Sequence, residues 1–211
     1  MKKGLFITFE GIDGCGKSTQ IEKAAEYLGE KGVPFILTRE PGGTPLAEKI
    51  RELILSPQNG EMKNSCELLL YLSARAQHVE EKIRPALEKG TTVLCDRYQE
   101  ATFAYQGFGR GYPLDLLQQL NRFATGGLDP SITFIFDISV ECAVERLKKT
   151  GKAPDRLEKS PKEFHRKIRE GYRALASAHP ERIRLLQGER PVDEIFEEVK
   201  KDLDELFNKS R

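Results

Sequence analysis

The stretch LFITFEGIDGCGKST, residues 5–19, decides the fold. Its first half, Leu5–Phe9, is a short run of apolar and β-branched residues of the kind that forms a buried strand. Its second half fits G-x-x-x-x-G-K-[ST], from Gly11 to Ser18, and opens on a stretch with helical periodicity. The chemistry follows from that context. Glycines let backbone N–H groups curl round an anion, and the start of the helix adds its positive end. Lys17 is placed to reach the β- and γ-phosphates, and Ser18 to ligate Mg²⁺. Gly11, Ile12, Asp13, Gly14, Cys15, Gly16, Lys17, Ser18 and Thr19 are therefore expected to cradle a nucleoside triphosphate.

Outward from this loop, β-type runs alternate with amphipathic helical stretches, the pattern of an α/β fold. The expected strands are Leu5–Phe9, Val33–Thr38, Thr92–Asp96, Ile132–Asp137 and Ile183–Leu186. The expected helices are Lys17–Lys31, closed by Gly32, then Thr44–Leu55, Ser65–Lys89 with a bend or restart at Pro85, Leu114–Ala124, Val140–Lys149, Pro161–Ala178 and Val192–Phe207. This predicts a parallel sheet of about five strands with helices on both faces, in one domain spanning residues 1–211. The segment Lys148–Lys159, KKTGKAPDRLEK, is basic, bears Gly and Pro and is poor in apolar residues. It reads as a mobile surface lid.

Composition narrows the partners. Lys and Arg total 34 against 33 Asp and Glu, for a net charge of +1. Such balance offers no general attraction to nucleic acid or to an anionic membrane. No apolar run approaches the ~20 residues of a membrane span, and the start of the chain does not read as a signal peptide. The cysteines at 15, 66, 95 and 142 form no metal-binding pair. Phosphate binding must come from locally placed cations. A carboxylate ending a neighbouring strand should help hold the metal, and two strands end in Asp. Asp96 is favoured because Arg97 follows at once, whereas Asp137 reads as a cap for the next helix.

A phosphate loop serves GTPase switches, ATP-driven machines and small-molecule kinases alike. The base-reading Asn-Lys-x-Asp of a GTPase is missing, since Asn208-Lys209 runs into Ser210 and Arg211. A kinase acting on a nucleotide needs a second anion site and a lid that excludes water. Arg39, Arg51, Arg75 and Arg97 supply the first and residues 148–159 the second. Arg84 and Arg122 read as solvated surface charges.

Four blocks carry a closer likeness: FEGIDGCGKST (Phe9–Thr19), TREPGGTPLAEKIRELIL (Thr38–Leu55), DRYQEATFAYQG (Asp96–Gly107) and DRLE (Asp155–Glu158). In order and spacing they resemble the thymidylate kinase family. The resemblance implies a P-loop nucleoside monophosphate kinase that transfers a phosphoryl group from Mg-ATP to dTMP. It also implies a homodimer packed through helices, located in the cytoplasm. The open alternatives are a kinase for another pyrimidine deoxynucleotide and an ATP-binding regulatory module.

By position, the family pattern has Asp13 meet the acceptor sugar 3′-OH, while Arg97 and Arg51 hold its phosphate. Tyr71 stacks on the base, Arg75 reads its edge, and Thr102 and Gln106 complete base recognition. Tyr105 crowds the sugar 2′ position. The catalytic cations are then Lys17, Arg97 and Arg156, with Ser18 and Asp96 for the metal. Residues Ile12–Cys15 contain no arginine, so the arrangement resembles the type that supplies its transition-state cation from the lid. Lys148, Lys149 and Lys152 accompany Arg156 there. Two positions depart from the family: Tyr71, where Phe is commoner, and Glu100, expected to face solvent or to disturb the pocket rim.

Overall fold

A computed structural model of the chain describes residues 3–151 and 153–209. Five strands, β1 (Phe6–Glu10), β2 (Phe35–Arg39), β3 (Thr92–Asp96), β4 (Ile132–Asp137) and β5 (Ile183–Gln187), form one all-parallel sheet in the order β2-β3-β1-β4-β5. Every residue of β1 is buried, and so are the first five of β4. Successive side chains of a strand point to opposite faces, so both faces of this sheet are covered.

The covering helices are α1 (Lys17–Glu30), α2 (Pro45–Leu55), α3 (Asn64–His78), α4 (Arg84–Glu88), α5 (Gln99–Thr102), α6 (Leu114–Thr125), α7 (Val140–Lys149), α8 (Lys162–Ala178) and α9 (Val192–Lys209). Helix α1 packs on α9 and β3, while α8 packs on β4 and β5. Their ends follow from local chemistry. The hydroxyl of Thr44 caps α2 through the Ala47 amide, with Pro45 in its first turn. Helix α1 closes in a Schellman motif, the Val33 amide donating to Leu28 O and Gly32 taking the left-handed φ of 66°.

The expected long helix 65–89 is interrupted. A π-helical turn, Val79–Ile83, joins α3 to α4, and Pro85 sits in the first turn of α4. One helix escaped the sequence reading altogether: α5 and the π-helical turn that continues it, Phe103–Gly109. Arg84 is no solvated charge. It donates to Glu80 on its own helix stretch and to the free carbonyl of Thr125 at the end of α6. Asp137 does not cap α7 either, because Ser139 does so through the Cys142 amide. Asp137 instead accepts forked hydrogen bonds from Arg169 and Arg173 of α8.

Candidate functional site

The loop 11–16 leaves the carboxyl end of central strand β1, where the sheet's crossovers turn to opposite sides. Its glycines are sterically required. Gly11 has φ 134°, and a Cβ there would lie 2.7 Å from Phe136 O and 2.8 Å from Cys15 Sγ. Lys17 folds back over the loop, its Nζ donating to the carbonyls of Gly11 (3.1 Å) and Ile12 (3.2 Å). Cys15 is 2% exposed and belongs to the core cluster. Ser18 and Thr19 are exposed.

A pocket opens beside this loop. It is lined by Asp13, Arg51, Tyr71, Arg75, Arg97, Thr102, Tyr105 and Gln106, together with Glu40, Asp155 and Leu157. All eight residues assigned to the acceptor from the sequence thus converge on one cavity. Arg97 dominates one end. Its backbone holds the left-handed φ of 69°, a strained position for a long side chain. Its Nη2 donates to Asp13 Oδ1 at 2.6 Å and its Nη1 to Gly11 O at 2.8 Å, with the guanidinium over the Tyr105 ring. The Tyr105 hydroxyl donates to the other Asp13 oxygen at 3.2 Å. Burial works against ionisation of Asp13, but the charges of Arg97 and Lys17 outweigh it and hold this carboxyl well below its ordinary range.

At the other end Arg75, 2% exposed, is fully gripped. Its Nε donates to Glu40 (2.7 Å), Nη1 to Thr102 Oγ1 (2.6 Å) and Asn121 Oδ1 (2.5 Å), and Nη2 to Tyr98 O (2.8 Å). Of the five N–H groups of a guanidinium, one on Nη2 is left for a ligand. Glu40 also holds His78 Nδ1 at 3.0 Å, and His78 Nε2 meets Thr38 Oγ1 at 2.6 Å. Neither Glu40 nor His78 was read from the sequence as a partner of the site. Tyr71 is half-buried, and burial raises its hydroxyl pKa, so the phenol stays neutral. Arg51 lies against the loop after β2, donating to Pro41 O at 2.8 Å.

Of the segment expected to form a lid, Arg156 and Leu157 pack on the body of the fold, the Arg156 amide donating to Leu55 O at 3.1 Å. Lys148 and Lys149 belong to the last turn of α7, and Lys152 lies outside the described residues. Leu157 is 4% exposed within the core cluster. Arg156 does not line the pocket. Its Nε donates to Ile54 O (2.7 Å) and its Nη2 to Glu67 (2.6 Å). Glu67, 1% exposed, also accepts from both prongs of Arg110 and from Gln106. The sequence did carry a signal for Glu67: it precedes Tyr71 by four residues and Arg75 by eight, one stripe of α3.

On the opposite side of the loop a second cleft, about 470 Å³, is lined by Ser18, Arg39, Glu48, Lys82 and Asp96 among others. Asp96 Oδ1 is buried there without a hydrogen-bond partner among the described residues. A buried carboxylate oxygen left unpaired is costly. Ser18 lines the same cleft, and a carboxylate and a hydroxyl oxygen are the donor types that a hard divalent cation takes.

Two buried acids complete the site. Glu10, the residue before the loop, accepts from the Tyr98 amide (2.6 Å) and from the Tyr172 hydroxyl (2.8 Å). Glu100 neither faces solvent nor touches the rim. It is 1% exposed and paired with Arg182 at 2.7 Å. Burial, and next the charge of Glu100, raise the Glu10 pKa from 4.5 to about 8 against the opposing pull of Arg97. A carboxyl whose folded value exceeds its unfolded one binds its proton more tightly when folded. Its stabilising contribution is intact below about pH 4.5, declines as pH rises, and is lost above about 8. Melting temperatures taken from pH 5 to pH 9 should therefore fall less for Glu10→Gln than for the parent chain. Parallel curves would refute this.

The family model described as thymidylate kinase matches residues 9–199. The curated thymidylate kinase of Carboxydothermus hydrogenoformans is 49% identical over 204 residues, covering 97% of this chain and 98% of its own. That of Symbiobacterium thermophilum is 45% identical, with 96% and 94% covered. The crystal structure of thymidylate kinase from Ehrlichia chaffeensis superposes with a TM-score of 0.75 at 35% identity, over 95% of this chain and 99% of that one. A family model matching residues 9–199 and relatives that span both chains nearly end to end leave one conclusion: the chain belongs to the thymidylate kinase family.

Proposed function

We propose that this chain transfers the γ-phosphoryl group of ATP to the 5′-phosphate of dTMP, giving dTDP and ADP. One observation carries the reading. A single pocket at the mouth of the phosphate loop brings together a phosphate-holding fork (Arg97), a sugar-facing carboxylate (Asp13) and a base-sized end walled by Tyr71, Arg75, Thr102 and Gln106. The comparisons with known thymidylate kinases agree with it.

In the transfer, an oxygen of the acceptor phosphate attacks the γ-phosphorus in line as the bond to the β,γ-bridging oxygen breaks. The protein supplies position and charge rather than covalent chemistry. Lys17 would exchange its loop carbonyls for β- and γ-phosphate oxygens. Arg97 fixes the attacking phosphate, and Arg156 neutralises charge on the transferring group. Magnesium, when bound, neutralises phosphate charge, and Ser18 and Asp96 are the residues that would hold it. Asp13, kept ionised, orients the sugar. Tyr105, donating to Asp13, occupies the space beside it and disfavours a 2′-hydroxyl.

The enzyme acts as a homodimer. Leu53 of α2, Leu69 of α3 and Phe123 of α6, the last 90% exposed, sit on helices packed on one another and leave an apolar surface for a second copy. We place it in the cytoplasm; no described helix is long and apolar enough to cross a membrane.

A coupled ADP-release assay with Mg-ATP and dTMP, dUMP, dCMP, dGMP and UMP side by side tests the reading. A strong preference for dTMP with UMP poor is expected. Equal turnover of dUMP would point to a broader pyrimidine deoxynucleotide kinase. No turnover of any monophosphate, with ATP still bound, would leave a regulatory module.

A further inference from the structure

We propose that Tyr172, backed by Glu10, is a positioning residue that fixes which N–H groups of Arg97 face the acceptor phosphate. The inference rests on the reading of Arg97 as the phosphate-holding residue. The geometry behind it is a clamp at both ends of the Arg97 side chain. The Arg97 amide donates to Phe9 O at 2.9 Å, and the next amide, of Tyr98, donates to Glu10 Oε1 at 2.6 Å. Between them these bonds hold the strained φ of 69°. At the far end Nη1 donates to Gly11 O at 2.8 Å and to the Tyr172 hydroxyl at 3.1 Å. That hydroxyl in turn donates to Glu10 Oε2 at 2.8 Å. One carboxyl thus grips the backbone beside Arg97 directly and its guanidinium through Tyr172.

The bookkeeping of donors explains why this matters. Both Nη1 protons are committed, to Gly11 and Tyr172, and one Nη2 proton goes to Asp13 at 2.6 Å. What remains is the Nε proton and the second Nη2 proton, the pair with which guanidinium forks engage a phosphate bidentately. Without the Tyr172 hydroxyl, Nη1 has a free proton and the fork can rotate about its long stem. Tyr172 touches no substrate itself. It is 2% exposed on α8, and its ring packs in the core cluster, so Tyr172→Phe keeps the packing and removes the hydroxyl from both Arg97 and Glu10 Oε2.

Steady-state kinetics and dTMP titration calorimetry on Tyr172→Phe, Arg97→Lys and the double variant test this. Tyr172→Phe should raise KM and Kd for dTMP about tenfold, and change KM for ATP less than about twofold. In the Arg97→Lys background the same substitution should add less than about twofold, because its effect runs through the fork. An equal loss in both backgrounds, or an equal rise in KM for ATP and dTMP, would overturn the positioning role. If Arg97→Lys alone leaves dTMP binding unchanged, the acceptor reading of Arg97 itself falls. The double variant separates that failure from the first, and any general loss of folding from both.

Discussion

Replacing Arg75 with alanine should lower the free energy of unfolding by about 3–5 kcal/mol, the range for breaking a buried ion pair from one side. The guanidinium and its partner carboxylate are each 2% exposed. Burial opposes ionisation of Glu40, but Arg75 and then His78 more than compensate and lower its pKa. Alanine would leave that carboxylate with His78 alone, would orphan the Asn121 and Thr102 side-chain oxygens, and would leave Tyr98 O with only the Ala101 amide at 3.2 Å. Three parts of the acceptor pocket, the loop after β2, α3 and the α5 turn, would lose their common tie. Urea unfolding followed by far-ultraviolet circular dichroism measures the loss, since the chain has no tryptophan to report it. A midpoint equal to the parent's would refute it. Removing the carboxylate too, as Arg75→Ala with Glu40→Gln, should recover part of the loss because no charge is then stranded. One consequence concerns function. Arg75→Ala does not distinguish a kinase from a nucleotide-binding regulator, since it would damage either; the panel of acceptors does.

Arg75 also marks the limit of what the sequence made legible. Its place on α3, four residues after Tyr71, put both on one face, and the structure brings both to one pocket. The five strands were readable to within two residues because a short run of apolar and β-branched residues marks a strand without knowledge of its neighbours, in the buried β1 and β4 as in β2, none of whose residues is fully buried. The α5 segment was not, because Gln99–Gly109 lacks helical periodicity in its apolar residues. Its polar residues, Gln99, Glu100, Thr102 and Gln106, are buried against partners far along the chain, such as Asp129, Arg182, Arg75 and Glu67. Burial of a polar side chain is decided by a partner, and partners separated by tens of residues leave no local mark. The same holds for Glu10 and Tyr172, whereas the α3 stripe shared with Tyr71 and Arg75 did mark Glu67. The docking of Leu157 within residues 148–159 left no mark in the sequence for a related reason. One leucine, Leu157, is enough to dock a turn when a core groove awaits it, and charge-rich composition hides that.

Arg156→Ala should lower kcat by about 10³-fold, the scale of other transition-state arginines, while leaving ATP affinity within about twofold. The resting geometry tells why this arginine can move. It is held by Ile54 O and by Glu67, and Glu67 has two guanidiniums for one carboxylate. When Arg156 leaves, the fork of Arg110, at 3.2 and 3.1 Å, still neutralises Glu67, so no buried charge is stranded. The transferring group, with charge spread over three oxygens, then competes for a cation whose alternative partner is already satisfied. Arg110, by contrast, also lies 4.4 Å over the Phe164 ring and is fixed at both ends. This asymmetry makes Arg156 the mobile member of the pair. Arg156→Lys should fall between parent and alanine, because an ammonium keeps the charge and loses the fork. Arg75→Ala and Arg156→Ala thus have opposite signatures: the first shifts the urea midpoint, the second shifts kcat far more than stability, because Arg110 keeps Glu67 paired. Single-turnover measurements with saturating Mg-ATP and dTMP isolate the chemical step. Turnover of Arg156→Ala close to the parent's would move the role to Lys148 or Lys149 at the end of α7, both exposed and free to approach the loop.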